Sequence, residues 1–117
     1  MSLTSYPDLT NGISKQIAVL RKEVPETMTG FSQMAQGACS AGTLEEKTKE
    51  LIAMGIAIAL RCDGCIGFHT KTLIKLGASR QEFEEMLAVT IYMGGGPSLM
   101  YAAQALDAWE QFDGEQS

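Results

Sequence analysis

The stretch Arg61-Cys62-Asp63-Gly64-Cys65-Ile66-Gly67-Phe68-His69 decides how this chain is organised. Residues 61–64 interrupt an apolar helical pattern on their N-terminal side, and a new helical pattern then runs through Cys65 and His69. Two cysteines at this spacing lie within one helical turn, near enough to close a small disulfide ring. The stretch therefore predicts a helix that starts at a cysteine pair.

The residues before this stretch carry signals for three helices and almost none for strands. The first helix is predicted from Asn11 or Gly12, and Pro25 ends it and opens the second. Thr43 and Glu46 form a capping-box pattern for a third helix over residues 44–60, whose apolar second half predicts a central buried helix. The apolar faces of the first two helices are expected at Ile13, Ile17, Leu20 and Val24, and at Met28, Phe31, Met34 and Ala38.

The residues after the cysteine pair predict three more helices. Gly77 suits the end of the fourth, and Ser79 with Glu82 repeats the capping-box pattern for the fifth. Residues 94–96 are glycines that end the fifth helix, Pro97 opens the sixth, and residues 113–117 are expected to fray. The short connections favour antiparallel neighbours, so residues 1–117 are predicted to form one all-α domain, an antiparallel helical bundle of about six helices.

Composition narrows the classes of function. The chain has 117 residues, 45% of them hydrophobic, and a formal net charge of −5. This charge disfavours binding to nucleic acid or to an anionic membrane. Residues 1–9 lack the basic start and apolar run of a signal peptide, and no apolar stretch is long enough to span a membrane. We therefore expect a cytoplasmic protein without a nucleic-acid or membrane partner.

The cysteine pair and His69 carry the predicted chemistry. In a reducing compartment such a pair indicates catalysis or metal binding more often than a structural bridge. A thiolate at a helix N-terminus is stabilised by the dipole and by unpaired N–H groups. His69 follows Cys65 by four residues and Cys62 by seven, so the three share one helix face. The imidazole can therefore take a proton from a thiol, or return it, near neutral pH.

Other residues near the pair are open to more than one interpretation. Glu50 would approach His69 if the third and fourth helices fold back on each other, but it also belongs to a charged run that solvent could cover. Asp63 is expected to face solvent or to cap the helix start. Cys39 is interpreted as a packing residue at a helix end, ahead of a resolving thiol or a metal ligand.

Glu50, the pair at residues 62–65 and His69 together resemble the alkylhydroperoxidase D (AhpD-like) and carboxymuconolactone decarboxylase superfamily. The resemblance covers about residues 44–112 and continues into the helix that contains Phe83, Met86 and Ala88. It implies an all-α bundle that assembles as a homo-oligomer, a trimer or hexamer. Gly64 stands where the best-known peroxidase pattern carries a second histidine.

The resemblance also implies an activity, that of a thiol-dependent peroxidase or disulfide oxidoreductase without a cofactor or metal. Cys65 would attack a small hydroperoxide or disulfide, Cys62 would resolve the product, and Glu50 with His69 would relay the proton. A dithiol, either a lipoyl group or a thioredoxin-like protein, would reduce the enzyme again.

Other functions remain open at this stage. One is a cofactor-free decarboxylase or isomerase acting on a small organic acid or lactone, with Arg61 and Arg80 as anchors. Another is a zinc-binding module with Cys62, Cys65 and His69 as ligands. Structural zinc sites usually combine two cysteine or histidine knuckles, and this chain has one. A slow redox sensor is a further alternative.

Overall fold

The computed structural model describes residues 4–116 and consists of six α-helices, which confirms the predicted all-helical fold. None of the described helices combines the length and the apolar character needed to cross a membrane. The helices are α1 (Tyr6–Glu23), α2 (Pro25–Cys39), α3 (Glu46–Ala59), α4 (Asp63–Lys75), α5 (Arg80–Gly94) and α6 (Gly96–Gln116).

The core lies where α3, α4, α5 and α6 meet. α4 packs against α3, α6 and α1, while α5 packs against α6 and α3. Phe83 of α5 and Trp109 of α6 are both buried, with ring centroids 4.8 Å apart in a tilted arrangement. Alanines on α6 let these helices approach closely, because a methyl group fills little space. Other core members are Met54, Ala57, Ile58, Ile66, Leu73, Leu87, Ala102, Ala105 and Ala108.

The predicted start of α5 is confirmed by its capping box. The Glu82 N–H donates to Ser79 Oγ at 3.0 Å, and the Ser79 N–H donates to Glu82 Oε1 at 2.8 Å. Glu82 also pairs with Lys47 of α3 at 2.9 Å. The pKa of Glu82 lies below its ordinary value, first because of the Ser79 N–H and then because of Lys47. The cap thus also ties α5 to α3.

Glycines end α4 and α5 as predicted. Gly77 follows the C-cap of α4 with φ of +81°, and Gly95 follows α5 with φ of +71°. Both values are in the left-handed region, where a side chain would be strained. The chain therefore leaves each helix sharply and starts the next within a few residues.

Two helix starts differ from the prediction. α1 begins at Tyr6, not at Asn11 or Gly12, because Ser5 caps it by accepting from the Asp8 N–H at 3.3 Å. The Tyr6 N–H also donates to Gln111 Oε1 at 2.8 Å, a contact across the fold that local sequence does not reveal. α3 begins at Glu46 with Glu45 as N-cap and no side-chain cap bond, so the capping box at Thr43 was wrong.

The last helix reaches further than the sequence pattern indicated. α6 continues through residue 116, into the segment where fraying was predicted, while Ser117 lies outside the described residues. Phe112 is buried near this end, and the Lys71 ammonium lies 5.7 Å from its ring centroid. These contacts hold the last turns of α6 against α4.

Burial along the first three helices departs from the predicted pattern. The stripe on α1 is at most half-buried, and the residues that α1 does bury are Tyr6 and Thr10. α2 buries no residue, and Phe31 remains 61% exposed. α3 buries only one side, since Ile56 on its other side is 54% exposed. Periodicity correctly indicated amphipathic helices, but among residues 4–116 other helices cover these faces only in part.

The contact between α1 and α4 generates a stability prediction. A Cβ at Gly67 would lie 2.6 Å from Thr10 Cγ2, and Thr10 is buried with little rotamer freedom. Gly67→Ala should therefore destabilise the fold by about 1 kcal/mol, because overpacking outweighs the gain in helix propensity. The matched change Gly30→Ala, where no atom lies within 4 Å, should instead stabilise it by about 0.5–1 kcal/mol. Urea unfolding measures both; equal shifts would contradict the close packing.

Candidate active site

Cys62 and Cys65 are joined by a disulfide at the start of α4, with their Cα atoms 5.2 Å apart. Cys62 is the N-cap, and its Sγ accepts a hydrogen bond from the Cys65 N–H at 3.2 Å. The Cys62 sulfur thus accepts the N-cap hydrogen bond that a serine or aspartate oxygen accepts at many helix starts. The predicted cysteine pair at a helix N-terminus is confirmed.

The turn between α3 and α4 is what places the pair. The Arg61 N–H donates to Ile58 O and the Cys62 N–H donates to Ala57 O, both at 3.0 Å. Arg61 has a φ of +59°, which is uncommon for a residue with a side chain. The backbone therefore reverses over residues 60–62, and α4 returns along α3.

This reversal brings Glu50 of α3 to His69 of α4. Glu50 Oε2 lies 2.5 Å from His69 Nδ1, and Glu50 is 6% exposed whereas the His69 ring is half-buried. A buried carboxylate requires a partner, and the imidazole provides it. The structure supports the interpretation in which Glu50 approaches His69, and not the one in which Glu50 is covered by solvent.

The structure links the four predicted site residues in two pairs, the Cys62–Cys65 disulfide and the Glu50–His69 contact, which follow each other along α4. Cys65 and His69 are separated by one turn of α4 and so share a face, as the spacing predicted. Glu50 reaches that face from α3, and Cys62 covers the end of the helix. The arrangement combines two linked sulfurs with an imidazole whose Nδ1 is held by a carboxylate.

Asp63 departs in part from the prediction. It was expected to face solvent or to cap α4; the residue is partly exposed, but Cys62 provides the cap and Asp63 Oδ1 is buried without a hydrogen-bond partner among residues 4–116. Tyr6, whose side chain is fully buried, was not among the predicted site residues. Burial raises the pKa of Tyr6 to about 12, and the nearby carboxylates of Asp63 and Asp107 add to this effect. No local pattern linked Tyr6 to the cysteine pair, because α1 is distant in sequence.

The other candidate residues lie elsewhere or are already paired. Cys39 is the last residue of α2, partly buried and not in a disulfide. Arg80 pairs on the surface with Glu84 at 3.3 Å and with Glu110 at 3.1 Å. Within the described part of the chain, no three His, Cys, Asp or Glu residues are grouped to hold a metal ion, so the alternative of a zinc module has no ligand set there.

An apolar groove runs between α3 and α5, on the side of α3 that does not face α4. It has a volume of about 470 Å³ and is lined almost entirely by apolar atoms. The apolar second half of α3 predicted a fully buried helix, so this groove was not expected. Its walls include Leu51, Ile52, Gly55, Ile56, Ala59, Met86, Val89 and Met93.

Comparisons with known proteins find relatives that match most of the chain. An uncharacterized protein of Cupriavidus necator is 39% identical over 94 residues, which is 80% of this chain and 83% of that protein. An uncharacterized protein of Haemophilus influenzae is 31% identical over 106 residues, covering 91% of this chain and 94% of that protein. The relatives thus match along most of their length but carry no assigned activity.

Solved structures share the fold. The crystal structure of a carboxymuconolactone decarboxylase family protein from Legionella pneumophila has a TM-score of 0.90 and 58% identity, covering 92% of this chain and 96% of that chain. A Thermotoga maritima protein has a TM-score of 0.71 and 26% identity, covering 87% and 96%. The model of the carboxymuconolactone decarboxylase family matches residues 25–108, and the chain belongs to that family.

Proposed function

We propose that this protein is a thiol oxidoreductase that reduces small hydroperoxides or disulfides through Cys62 and Cys65. The observation that carries the proposal is the disulfide at the start of α4, one turn from an imidazole bonded to a buried carboxylate. A redox-active pair needs a second thiol to close the cycle and a group that moves protons near neutral pH. This junction supplies both.

The Glu50 contact defines how His69 acts. With Nδ1–H donating to Glu50, the neutral ring keeps its lone pair on Nε2, so Nε2 is the atom that exchanges protons. The carboxylate also stabilises the imidazolium that forms when His69 accepts a proton. Glu50 is thus a positioning residue, and His69 is the group that serves Cys65.

The reaction follows from these roles. His69 accepts the Cys65 thiol proton, and the thiolate attacks the terminal oxygen of the hydroperoxide, breaking the O–O bond. The alkoxide takes the proton from His69 and leaves as an alcohol, while Cys65 becomes a sulfenic acid. Cys62 then attacks the Cys65 sulfur, forming the disulfide and releasing water. A dithiol such as a lipoyl group or a thioredoxin-like protein reduces the disulfide, becoming oxidised itself.

Separate substitutions of the two cysteines test this order. Cys65→Ser should abolish peroxide consumption, because the attacking sulfur is lost. Cys62→Ser should allow one turnover and then stop with a sulfenic acid on Cys65, because no second thiol resolves it. Coupled peroxide consumption and mass spectrometry measure both, with Cys39→Ser as the control that keeps wild-type activity. Full turnover by either pair variant would rule out the mechanism.

A change at Glu50 tests the relay. Glu50→Gln keeps the shape but removes the charge that holds the imidazole, so sulfenic acid formation should slow about 100-fold near neutral pH. Stopped-flow mixing with peroxide measures this step. Glu46→Gln, an exposed carboxylate in the first turn of the same helix, is the matched control and should change nothing. An unchanged rate in Glu50→Gln would remove Glu50 from the mechanism.

A second candidate function is favoured by the family itself. A cofactor-free enzyme of the carboxymuconolactone decarboxylase type, acting on a small organic acid, would not need either sulfur. A substrate screen with the Cys62→Ser, Cys65→Ser double variant separates the two functions. Turnover of an organic acid by this variant would favour the second candidate, and loss of all turnover favours the first.

The proposed setting of the enzyme is a homo-oligomer, a trimer or hexamer, in the cytoplasm, where thiols are kept reduced. A folded monomer of 12.6 kDa exposes about 6,200 Å². This chain exposes 7458 Å², and the excess exceeds the roughly 800 Å² that each partner buries in a standard interface. Much of it is apolar, on the outer face of α2 and along the groove between α3 and α5.

Charges placed on these surfaces test the assembly. Phe31→Lys or Ile56→Lys should shift the sedimentation coefficient toward that of a single chain, because a lysine cannot be buried there without a partner. Lys15→Glu, an exposed position on α1 whose side chain forms none of the described bonds, is the control. A wild-type protein that sediments as one chain at micromolar concentration would contradict self-association.

A further inference from the structure

Helix α2 has an unusual composition for a helix in water. Residues 27–44, which form most of α2 and the loop after it, contain no charged residue, although charged residues make up 20% of the chain. Most of these residues are nonetheless exposed, and α2 buries none of its own. A helix that faces water on one side ordinarily carries charges there, whereas the core of an interface is depleted of charge. The composition of α2 is therefore that of a helix covered by a partner.

The outer face of α2 is formed by Phe31 and Met34, which are 61% and 63% exposed. They are three residues apart, and Ala38 follows after four more, so all three lie on one side of the helix. Phenylalanine and methionine are both enriched in interfaces between proteins. This face is convex, because it is the outside of a single helix.

The groove between α3 and α5 is a concave surface of matching chemistry. At its floor the two helices approach closely, since a Cβ at Gly55 would lie 3.2 Å from Thr90 Oγ1. The Thr90 hydroxyl donates to Met86 O at 2.9 Å, so its hydrogen is used within α5. Ile56 and Met93 stand on the two walls and are largely exposed. The groove is therefore suited to an apolar occupant.

A helix with apolar residues three and four positions apart is the usual occupant of such a groove. The outer face of α2 has this spacing. In the described part of the chain, however, α2 packs against α1 and α3 and does not contact α5, which is the far wall of the groove. α2 therefore does not lie in the groove of its own chain, and a second copy is needed to bring the two surfaces together.

Shape favours this pairing over a symmetric one. Two grooves placed face to face would enclose a void, and protein interfaces pack almost as densely as interiors. Two α2 faces placed together would leave both grooves open to water. A convex face in a concave groove covers both surfaces at once, and the flexible side chains of Met34, Met86 and Met93 can fill the remaining gaps.

We propose that α2 of one copy of this chain lies in the groove between α3 and α5 of the next copy, with Phe31 and Met34 as anchors. The inference rests on the proposed self-association and specifies its contact, but it is independent of the thiol chemistry. The two surfaces differ, so the contact is heterologous, and because each copy carries one of each, the copies can close into a ring. The 7458 Å² that the chain exposes exceeds the area of a typical folded monomer by more than one such surface needs.

Mixing two variants tests the contact. Phe31→Lys damages the inserted face and keeps the groove, whereas Ile56→Lys does the reverse. Each variant alone should have the mass of one chain, because every heterologous contact needs one intact surface of each kind. An equimolar mixture should contain pairs with twice the single-chain mass of 12.6 kDa, since the groove of one variant accepts α2 of the other. Sedimentation equilibrium at micromolar concentration measures these masses.

A mixture of Phe31→Lys with Met34→Lys is the matched control and should contain single chains only, because neither variant supplies an intact α2. Single chains in the mixture of Phe31→Lys with Ile56→Lys would overturn the inference. Pairs formed by Phe31→Lys alone would do the same, since the grooves would then bind each other. If the wild type has the mass of one chain, self-association itself fails, and the thiol mechanism is unaffected.

Photo-cross-linking provides a second measurement that keeps an aromatic side chain at position 31. Protein with Phe31→p-benzoylphenylalanine is mixed with isotope-labelled wild type and irradiated, and mass spectrometry locates the adducts. We expect adducts at Met86 or Met93 of the labelled chain. Adducts confined to the photoreactive chain, or located on α2 of the labelled chain, would overturn the inference. An apolar small molecule retained in the wild-type groove in native mass spectrometry would also overturn it, because a ligand and a helix cannot occupy the groove together.

Discussion

A buried carboxylate in an apolar helix is the constraint on which this architecture depends. Glu50 continues the stripe of α3 that contains Met54, Ala57 and Ile58, so it points into the protein with the core residues. A charge in that position must meet a partner, and His69 of α4 is that partner. α4 therefore has to return along α3, and the turn that achieves this also places the cysteine pair at the start of α4. The need to pair the buried Glu50 carboxylate therefore constrains the path of α4 and also determines the geometry of the site.

The parts of the fold that were predicted from sequence depend on local chemistry. Ser79 and Glu82 cap α5 within four residues of each other, and Gly77 and Gly95 adopt a backbone conformation that few other residues tolerate. The start of α1 is set by two contacts: Ser5 caps it locally, and the Tyr6 N–H donates to Gln111 Oε1, 105 positions away. The serine cap was a local signal that the prediction missed, whereas no window of sequence contains both Tyr6 and Gln111.

The candidate site was predictable to a similar extent. The spacing of Cys62, Cys65 and His69 determines their relation within α4, so they could be grouped in advance. Glu50 was ambiguous because it ends a charged run, although its register with Met54 and Ala57 was a usable signal. The burial of the Asp63 Oδ1 atom could not be anticipated, because α1, which packs against α4 at Gly64 and Gly67, is distant in sequence.

The exposed apolar faces of α2 and α3 show that hydrophobic periodicity identifies an apolar helix face but not the surface that covers it. Repeated apolar residues on α2 indicate a face that avoids water, but they do not identify what covers it. Among residues 4–116, little covers that face or the outer side of α3, while the cysteine pair lies at the opposite, α4 side of α3. Association through these faces would therefore add burial without closing the side of α3 on which Glu50 and His69 meet.

The helix start gives the two sulfurs different surroundings even before any catalytic group is considered. Cys62 has an extended backbone, with φ of −101° and ψ of 95°, so its side chain folds back over the first turn and accepts the Cys65 N–H. Residues three apart at a helix start are neighbours, and the extended backbone of Cys62 lets its sulfur reach Cys65 from the N-cap position. The backbone bonds that shape this turn, from the Arg61 and Cys62 N–H groups, do not pass through the sulfur–sulfur bond. These backbone bonds do not require the disulfide, so we expect the turn that positions the pair to persist when the sulfurs are reduced.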